Sequence, residues 1–181
     1  NLKEITKLLN KEFGNWKPKA VPAPAKAFTS PIPEQKGRIL VIDRPNSPQS
    51  MILAGQVLNA KGSDDLVTFR AANDVFGGDF TARLNMDLRE SKGWSYGTYS
   101  QLPGRADRMV FGIGAPVQTN QTGPSIAAII GHLKDITGSR GVTAAERDLT
   151  VNGNILEMPG SYEQSAAVMG QMQADRLYSR P

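Results

Sequence analysis

Arg89 and Tyr96 are the two residues whose types and spacing are best suited to chemistry. They lie seven residues apart with Gly93 between them. The apolar pattern ends a helix at Arg89 and places Tyr96 early in the next strand, so we expect both polar heads on one side of a sheet. A guanidinium offers fixed donors to a carbonyl or carboxylate, and a phenol can donate to a developing oxyanion. A helix-terminal arginine and a half-buried tyrosine with purely structural roles fit the same pattern.

Metal and thiol chemistry is limited by composition. The chain has no cysteine and a single histidine, His132, whereas most catalytic zinc sites take two or three imidazoles. The local sequence GHLKD predicts that His132 lies partly exposed on a helix. We therefore expect no metal site and no cofactor site in this chain, and disulfides are excluded.

Two glycine pairs imitate phosphate-binding loops without matching them. Gly77-Gly78 fits neither G-x-G-x-x-G after a strand nor G-x-x-x-x-G-K-[ST]. We interpret it as a tight helix-to-helix turn that needs positive φ. Gly112 and Gly114 are not followed by a helix N-terminus, so we assign them to a closely packed strand.

The net charge of +4 in 181 residues is concentrated at the N-terminus. Residues 1–37 carry seven lysines and three acids, which leaves 14 basic and 14 acidic side chains for the rest of the chain. A nucleic-acid-binding face needs clustered cations on the folded part, so we predict no nucleic-acid partner. No apolar run approaches the roughly 20 residues that cross a bilayer, so we expect no membrane span.

Composition along the chain divides it into three parts. Residues 2–13 have apolar side chains at helical spacing and end at Gly14, so they predict an amphipathic helix. Five prolines in residues 17–36 favour an extended linker. We interpret residues 1–16 as the closing helix of a preceding domain and residues 37–181 as a separate domain, whose completeness at the C-terminus stays open.

Residues 37–181 predict two strands, two helices, two further strands and then three helices. The predicted elements are strands at 38–43 and 49–58, helices at 64–76 and 80–91, strands at 94–102 and 109–116, and helices at 122–137, 143–157 and 161–178. Thr143 and Glu146 predict a capping box at one helix start. Paired strands without helical crossovers favour an antiparallel sheet. The predicted fold class is therefore α+β, a two-layer arrangement with helices packed on one face of the sheet.

The most informative stretch runs from residue 73 to residue 97. Its signature comprises Asn73, Gly77-Gly78, Phe80, Arg83-Leu84-Asn85, Leu88-Arg89-Glu90, Lys92-Gly93 and Ser95-Tyr96-Gly97. This signature resembles the C-terminal, non-zinc-binding domain of the pitrilysin/insulinase family of zinc metallopeptidases. The segments VIDRPNSPQSMILAG and GVTAAERDLTVNGNI extend the resemblance, and F-G-x-W at residues 13–16 is similar to the end of the family's preceding domain.

The resemblance implies a division of labour between two halves of a bilobed clamshell. In this family, an inverted H-x-x-E-H motif and a distal glutamate of the N-terminal half hold the zinc. This chain lacks that motif, so the implied zinc lies in a partner half, on the same polypeptide or on a second subunit. The resemblance further implies an extended peptide substrate, with Tyr96 at the tetrahedral oxyanion and Arg89 at a backbone carbonyl.

Two other functions stay open on the sequence alone. Relatives of this fold serve as non-catalytic scaffold subunits of membrane respiratory complexes, and the basic N-terminal arm suits a polyanion binder. The presence of both Arg89 and Tyr96 favours the peptidase. The sequence assigns neither the peptide that is cut nor the cellular compartment.

Overall fold

The computed structural model of the chain describes residues 1–17, 31–32, 34, 36–61, 66–103 and 108–178. The chain divides into two compact units, Asn1–Pro31 and Ile32–Pro181. Most of the predicted linker lies outside the described residues, as do the start of the helix predicted at 64 and most of the turn between the last two predicted strands. In the described part, no helix is both long and apolar enough to cross a membrane.

The first unit contains the helix α1, Leu2–Phe13, which confirms the predicted amphipathic helix. Asn1 caps it, because its side-chain oxygen accepts hydrogen bonds from the backbone N–H groups of Lys3 at 2.9 Å and Glu4 at 3.3 Å. Glu4 returns a bond to the cap and completes a capping box. That this helix closes a preceding domain stays a prediction.

The second unit is built on an antiparallel sheet. Its described strands are β1 Gln49–Leu58, β2 Tyr99–Gln101 and β3 Met109–Gln118, in the order β1-β3-β2. The register places Ile52 opposite Ala115 and Ser100 opposite Ile113. The central strand β3 needs glycine at Gly114, since a Cβ there would overlap the ring of Tyr99.

Helical segments accompany this sheet, and those that contact its strands include Asp74–Gly78 and Thr122–Thr137. The helical segments are α2 Val67–Asn73, a π-helix π1 Asp74–Gly78, α3 Arg83–Asn85, a second π-helix π2 Met86–Ser91, a 3₁₀ turn Thr119–Gln121, α4 Thr122–Thr137, α5 Ala144–Ser161 and α6 Ser165–Tyr178. The core joins Phe76, Leu84, Leu88 and Ile129 from these helices to Ile113, Ala115 and Val117 of β3. Those three β3 residues alternate along the strand, so they share one face. The predicted α+β class is confirmed.

The strand predicted at 38–43 is wrong. Those residues form no strand, and Ile39, Leu40, Val41 and Ile42 are 75–91% exposed. β1 pairs along its whole length with β3, and no described segment pairs with residues 38–43. An apolar run without a neighbouring strand cannot build a ladder, whatever its propensity.

The strand predicted at 94–102 is shorter than expected. Only Tyr99–Gln101 forms β2, and Ser95 makes an isolated bridge to Val117. Ser95 Oγ accepts a hydrogen bond from the Gly97 N–H at 3.1 Å. This local bond takes the backbone group that a continuous ladder would need.

The interpretation of Gly77-Gly78 as a positive-φ turn is also wrong. Both residues lie inside π1, and Gly93 is the glycine with positive φ among the described residues, at 64°. Gly77 is required for close approach instead. A Cβ at Gly77 would lie 2.7 Å from Ser100 Oγ and 2.9 Å from Ser100 N.

The remaining helix boundaries shift by a few residues. The helix predicted at 80–91 begins at Arg83, because Ala82 is extended with ψ of 153°. The helix predicted at 143–157 runs to Ser161, and the last helix begins at Ser165. The capping box of Thr143 and Glu146 is confirmed.

Candidate functional site

Arg89 projects from π2, whose wider turns set its direction. The Lys92 N–H donates to the Asp87 carbonyl at 3.0 Å, which is the i to i−5 bond of a π-helix. The fully buried Leu88 anchors the segment, and its carbonyl accepts bonds from the Trp94 N–H at 2.9 Å and the Ser95 N–H at 3.3 Å. The chain therefore turns sharply after Arg89, and short π-helical segments often occur at functional sites.

Tyr96 lies in the loop before β2 rather than within a strand, which corrects the predicted placement. The two residues before it are bonded to the end of β3. The Gln118 N–H donates to the Trp94 carbonyl at 2.9 Å, and Ser95 Oγ donates to the Pro116 carbonyl at 2.5 Å. The Tyr96 side chain is nonetheless 84% exposed. Hydrogen bonds therefore hold the nearby backbone, while the phenol of Tyr96 is exposed to solvent.

Arg89 lies between two aromatic rings. Its Cζ is 4.5 Å from the centroid of Phe80 and 5.3 Å from the centroid of Tyr96. We call these three residues the arginine clip. Both distances fall within the range of a cation–π interaction. The clip brings together the two residues that the sequence singled out.

Apart from Arg89 Nε, the polar groups of the arginine clip have no partner among the described residues. Arg89 Nε lies 3.3 Å from Glu90 Oε1, and the Arg89 side chain is 29% exposed. Among the described residues, none forms a hydrogen bond with the Nη atoms of Arg89 or with the Tyr96 hydroxyl. The clip therefore offers a forked cationic donor and a neutral donor side by side on an open surface.

Phe80 is the member of the clip whose role sequence reasoning missed. It belongs to the family signature, but periodicity places it in the first turn of a helix. In the structure it lies ahead of α3, outside any helix or strand. An exposed aromatic residue just after a glycine pair is the one local signal that could have identified it.

On another side of π2, Asp87 joins this segment to α4. His132 Nε2 lies 3.0 Å from Asp87 Oδ2, and Lys92 Nζ forms an ion pair with the same carboxylate. Burial raises the pKa of Asp87, but hydrogen bonds from Lys92 and His132 outweigh it and hold that pKa below its ordinary value. His132 is helical, as expected, and its partner explains its place in the fold.

The described residues do not suit a zinc ion. Nowhere among them do three histidine, aspartate or glutamate side chains gather in a group that could hold a metal. His132 pairs with the carboxylate of Asp87, which also forms an ion pair with Lys92. A structural or catalytic zinc takes three or four such ligands.

Comparisons with known proteins agree on one group. The family model for the peptidase M16 inactive domain matches residues 1–154. The crystal structure of a peptidase M16 inactive domain from Pseudomonas fluorescens is 26% identical, with a TM-score of 0.64 over 75% of this chain and 32% of that one. Among curated proteins, no significant match is found.

Two further solved structures share the fold at lower identity. A protease from Helicobacter pylori is 20% identical, with a TM-score of 0.79 over 99% of this chain and 43% of that one. A Bordetella pertussis protein described as a candidate zinc protease is 18% identical, with a TM-score of 0.59 over 75% of this chain and 77% of that one. The chain thus spans less than half of the Pseudomonas and Helicobacter proteins.

Proposed function

The chain belongs to the peptidase M16 inactive-domain family, and on that basis we propose that it is the non-zinc-binding half of a zinc-dependent peptidase. Its contribution is to bind an extended peptide and to stabilise the oxyanion formed during hydrolysis. Membership confirms the resemblance to pitrilysin/insulinase-type metallopeptidases. The contribution of individual residues rests on the arginine clip.

The zinc belongs to the partner half in this proposal. The described residues of this chain provide no ligand set, so the ion would be held by an H-x-x-E-H motif on the same polypeptide or on a second subunit. Bound there, zinc polarises a peptide carbonyl and activates water. The residues of this chain act on the substrate from the opposite side.

Arg89 would hold a backbone carbonyl of the peptide beyond the scissile bond. Among the described residues, its Nη donors have no hydrogen-bond partner, and Glu90, beside Nε, is the carboxylate that pairs with it. A planar guanidinium can donate two hydrogen bonds, which converge on one oxygen or run parallel to two neighbouring oxygens, and this fixes the orientation of an extended chain. Correct orientation of the peptide contributes directly to rate.

Tyr96 would donate its hydroxyl hydrogen bond to the tetrahedral oxyanion. The nearby Arg89 cation, whose Cζ lies 5.3 Å from the ring centroid, makes the surroundings favourable to negative charge. Because Trp94 and Ser95, just before Tyr96, are hydrogen-bonded to the end of β3 and the Gly97 N–H donates to Ser95 Oγ, the backbone at this donor needs little reorganisation. The Arg89 Nη groups and the Tyr96 hydroxyl are neighbouring donors without a partner among the described residues, and this observation carries the proposal.

The test is the turnover of a Tyr96→Phe variant in the complete enzyme, meaning this chain together with the half that carries H-x-x-E-H. Turnover of an internally quenched fluorogenic peptide should fall about a hundredfold or more, because one oxyanion donor contributes roughly 2.7 to 4 kcal/mol. KM should change little, since the hydroxyl acts mainly in the transition state.

Tyr99→Phe is the matched control. It removes a hydroxyl three positions along, from a ring that packs against Gly114 of β3, and should leave turnover unchanged. If Tyr96→Phe keeps turnover within about threefold of the parent, the catalytic assignment fails. A complete enzyme without any peptidase activity would support the scaffold role instead.

A further inference from the structure

Phe80 makes the closer of the two ring contacts with Arg89. Its centroid lies 4.5 Å from Arg89 Cζ, against 5.3 Å for Tyr96. Phe80 is 58% exposed and is not part of the hydrophobic core. Burial therefore does not account for its position, and the contact with Arg89 is the described interaction of its ring.

A buried polar side chain fixes the backbone of Phe80. Asn85 is 3% exposed, and its Nδ2 donates to the Phe80 carbonyl at 2.7 Å. Asn85 Oδ1 accepts from the Thr98 N–H at 3.2 Å. The Asn85 amide thus links Phe80, in the loop before α3, to Thr98, which lies between Tyr96 and β2. Burial of an asparagine is costly unless both of its ends are bonded, and here both ends hold the frame of the arginine clip.

An aromatic contact can hold an arginine in place and still leave its hydrogen-bond donors available to a ligand. Glu90 Oε1 lies 3.3 Å from Arg89 Nε and leaves the Nη groups without a partner among the described residues, whereas a bidentate carboxylate would occupy an Nη group as well. A ring placed over the guanidinium interacts with the cation and takes no hydrogen-bond donor. Phe80 therefore restricts the position of Arg89 while its Nη atoms stay unbonded among the described residues.

We propose that Phe80 is a positioning residue that sets where the Arg89 guanidinium meets the peptide backbone. Phe80 acts through Arg89 and needs no contact with the reacting atoms. The functional part of this inference rests on the proposed role of Arg89. The structural part, that the Phe80 ring restricts the guanidinium, can be tested without any enzyme activity.

The first arm uses nuclear magnetic resonance on the 181-residue chain. In the parent, the ring current of Phe80 should shift the Arg89 side-chain resonances away from those of a free arginine. Phe80→Leu keeps an apolar side chain without a π face and should return them toward free values, and Phe80→Tyr should retain the shift. Phe69→Leu, which changes an exposed phenylalanine of α2, is the matched control and should leave them unchanged.

The second arm measures kcat/KM of the complete enzyme on the quenched peptide. Phe80→Leu should lower it about three- to fivefold, which corresponds to the loss of one exposed cation–π contact. Phe80→Tyr should restore it, whereas an aliphatic Phe80→Met should not. The midpoint of thermal unfolding should stay the same in all of these variants, so a general loss of structure is separated from mispositioning.

The two arms distinguish failure of this inference from failure of the proposed function. Arg89 resonances that do not respond to Phe80→Leu or to Phe80→Met overturn the positioning role. A second result would also overturn it. In an enzyme that loses activity on Arg89→Gln, the Arg89 resonances respond to the Phe80 variants but kcat/KM does not. If Arg89→Gln itself leaves activity intact, the proposed function of Arg89 fails, and the functional part of the inference fails with it.

Discussion

Arg83 and Arg89 lie on consecutive helical segments of the same stretch, yet their surroundings are opposite. Arg83 Nε and Nη2 bind the two carboxylate oxygens of Glu146 at 2.6 and 2.7 Å. Its Nη1 and Nη2 also donate to the carbonyls of Arg140 and Gly141 at 2.6 and 2.8 Å. Arg89 faces two aromatic rings and keeps its Nη atoms unbonded among the described residues.

The difference separates an arginine that builds the fold from one that is available to a ligand. Arg83 ties α3 to the first turn of α5, where Glu146 also completes the capping box with Thr143. A bidentate pair of this kind is geometrically specific, and removing either partner leaves the other unsatisfied. Arg89 makes an ion pair with Glu90 and two cation–π contacts at the surface, so we expect its substitution to change function with a much smaller effect on stability.

The largest expected effect is on the stability of an Arg83→Ala variant. The side chains of Arg83 and Glu146 are only 13% and 29% exposed, so the variant leaves a carboxylate and two carbonyls without their donor. We expect the free energy of unfolding to fall by about 3 kcal/mol, measured by urea denaturation. Arg89→Ala should lower it by no more than about 1 kcal/mol, because its cation–π contacts and its ion pair lie at the surface. Equal losses of unfolding free energy in the two variants would contradict the proposed difference between Arg83 and Arg89.

Acid should weaken the ion pair between Arg83 and Glu146. The hydrogen bond from Arg83 lowers the pKa of Glu146 from its ordinary 4.5 to about 2. Because the folded state holds the lower pKa, this contribution is complete above about pH 4.5 and is lost as the pH falls toward about 2. The parent should therefore lose on the order of 2 kcal/mol more than Glu146→Gln in that window. Parallel pH profiles for parent and variant would contradict the assignment.

A smaller effect is expected where π2 meets α4. Asp87→Asn removes the charge that Lys92 and His132 share, while the amide keeps the shape of the side chain. The free energy of unfolding should fall by about 1.5 kcal/mol, the lower end for hydrogen bonds to a charged group. Glu90→Gln, on the same helix, is the control and should be nearly silent, because its carboxylate is exposed and its partner among the described residues is Arg89.

Features that depend on one segment could be predicted from the sequence. The bounds of α1, β1 and α4, and the capping box at Thr143, follow from periodicity and from the cap residues themselves. The suitability of Arg89 and Tyr96 also follows from residue type and spacing across Gly93. Arg89 and Tyr96 lie near each other because the chain turns at Gly93, between the helical segment and the sheet.

Features that depend on a distant partner could not be predicted. The apolar run at 38–43 has the propensity of a strand but no described neighbour, and Gly77 is explained by its distance to Ser100 rather than by its own φ. The π-helical turns leave no pattern in the sequence. The position of Phe80 depends on Asn85 and Thr98, which meet only in the folded chain.

The most direct test of the central claim is the catalytic efficiency of Arg89→Lys in the complete enzyme, compared with the unfolding free energy of the same variant. Lysine keeps the charge and can still face the rings of Phe80 and Tyr96, but it lacks the planar fork. We predict that kcat/KM on the quenched peptide falls about fivefold, equivalent to one hydrogen bond, with no change in stability. A variant that keeps kcat/KM within about twofold of the parent, or that loses stability as Arg83→Ala does, would contradict the claim that Arg89 is held free for the substrate.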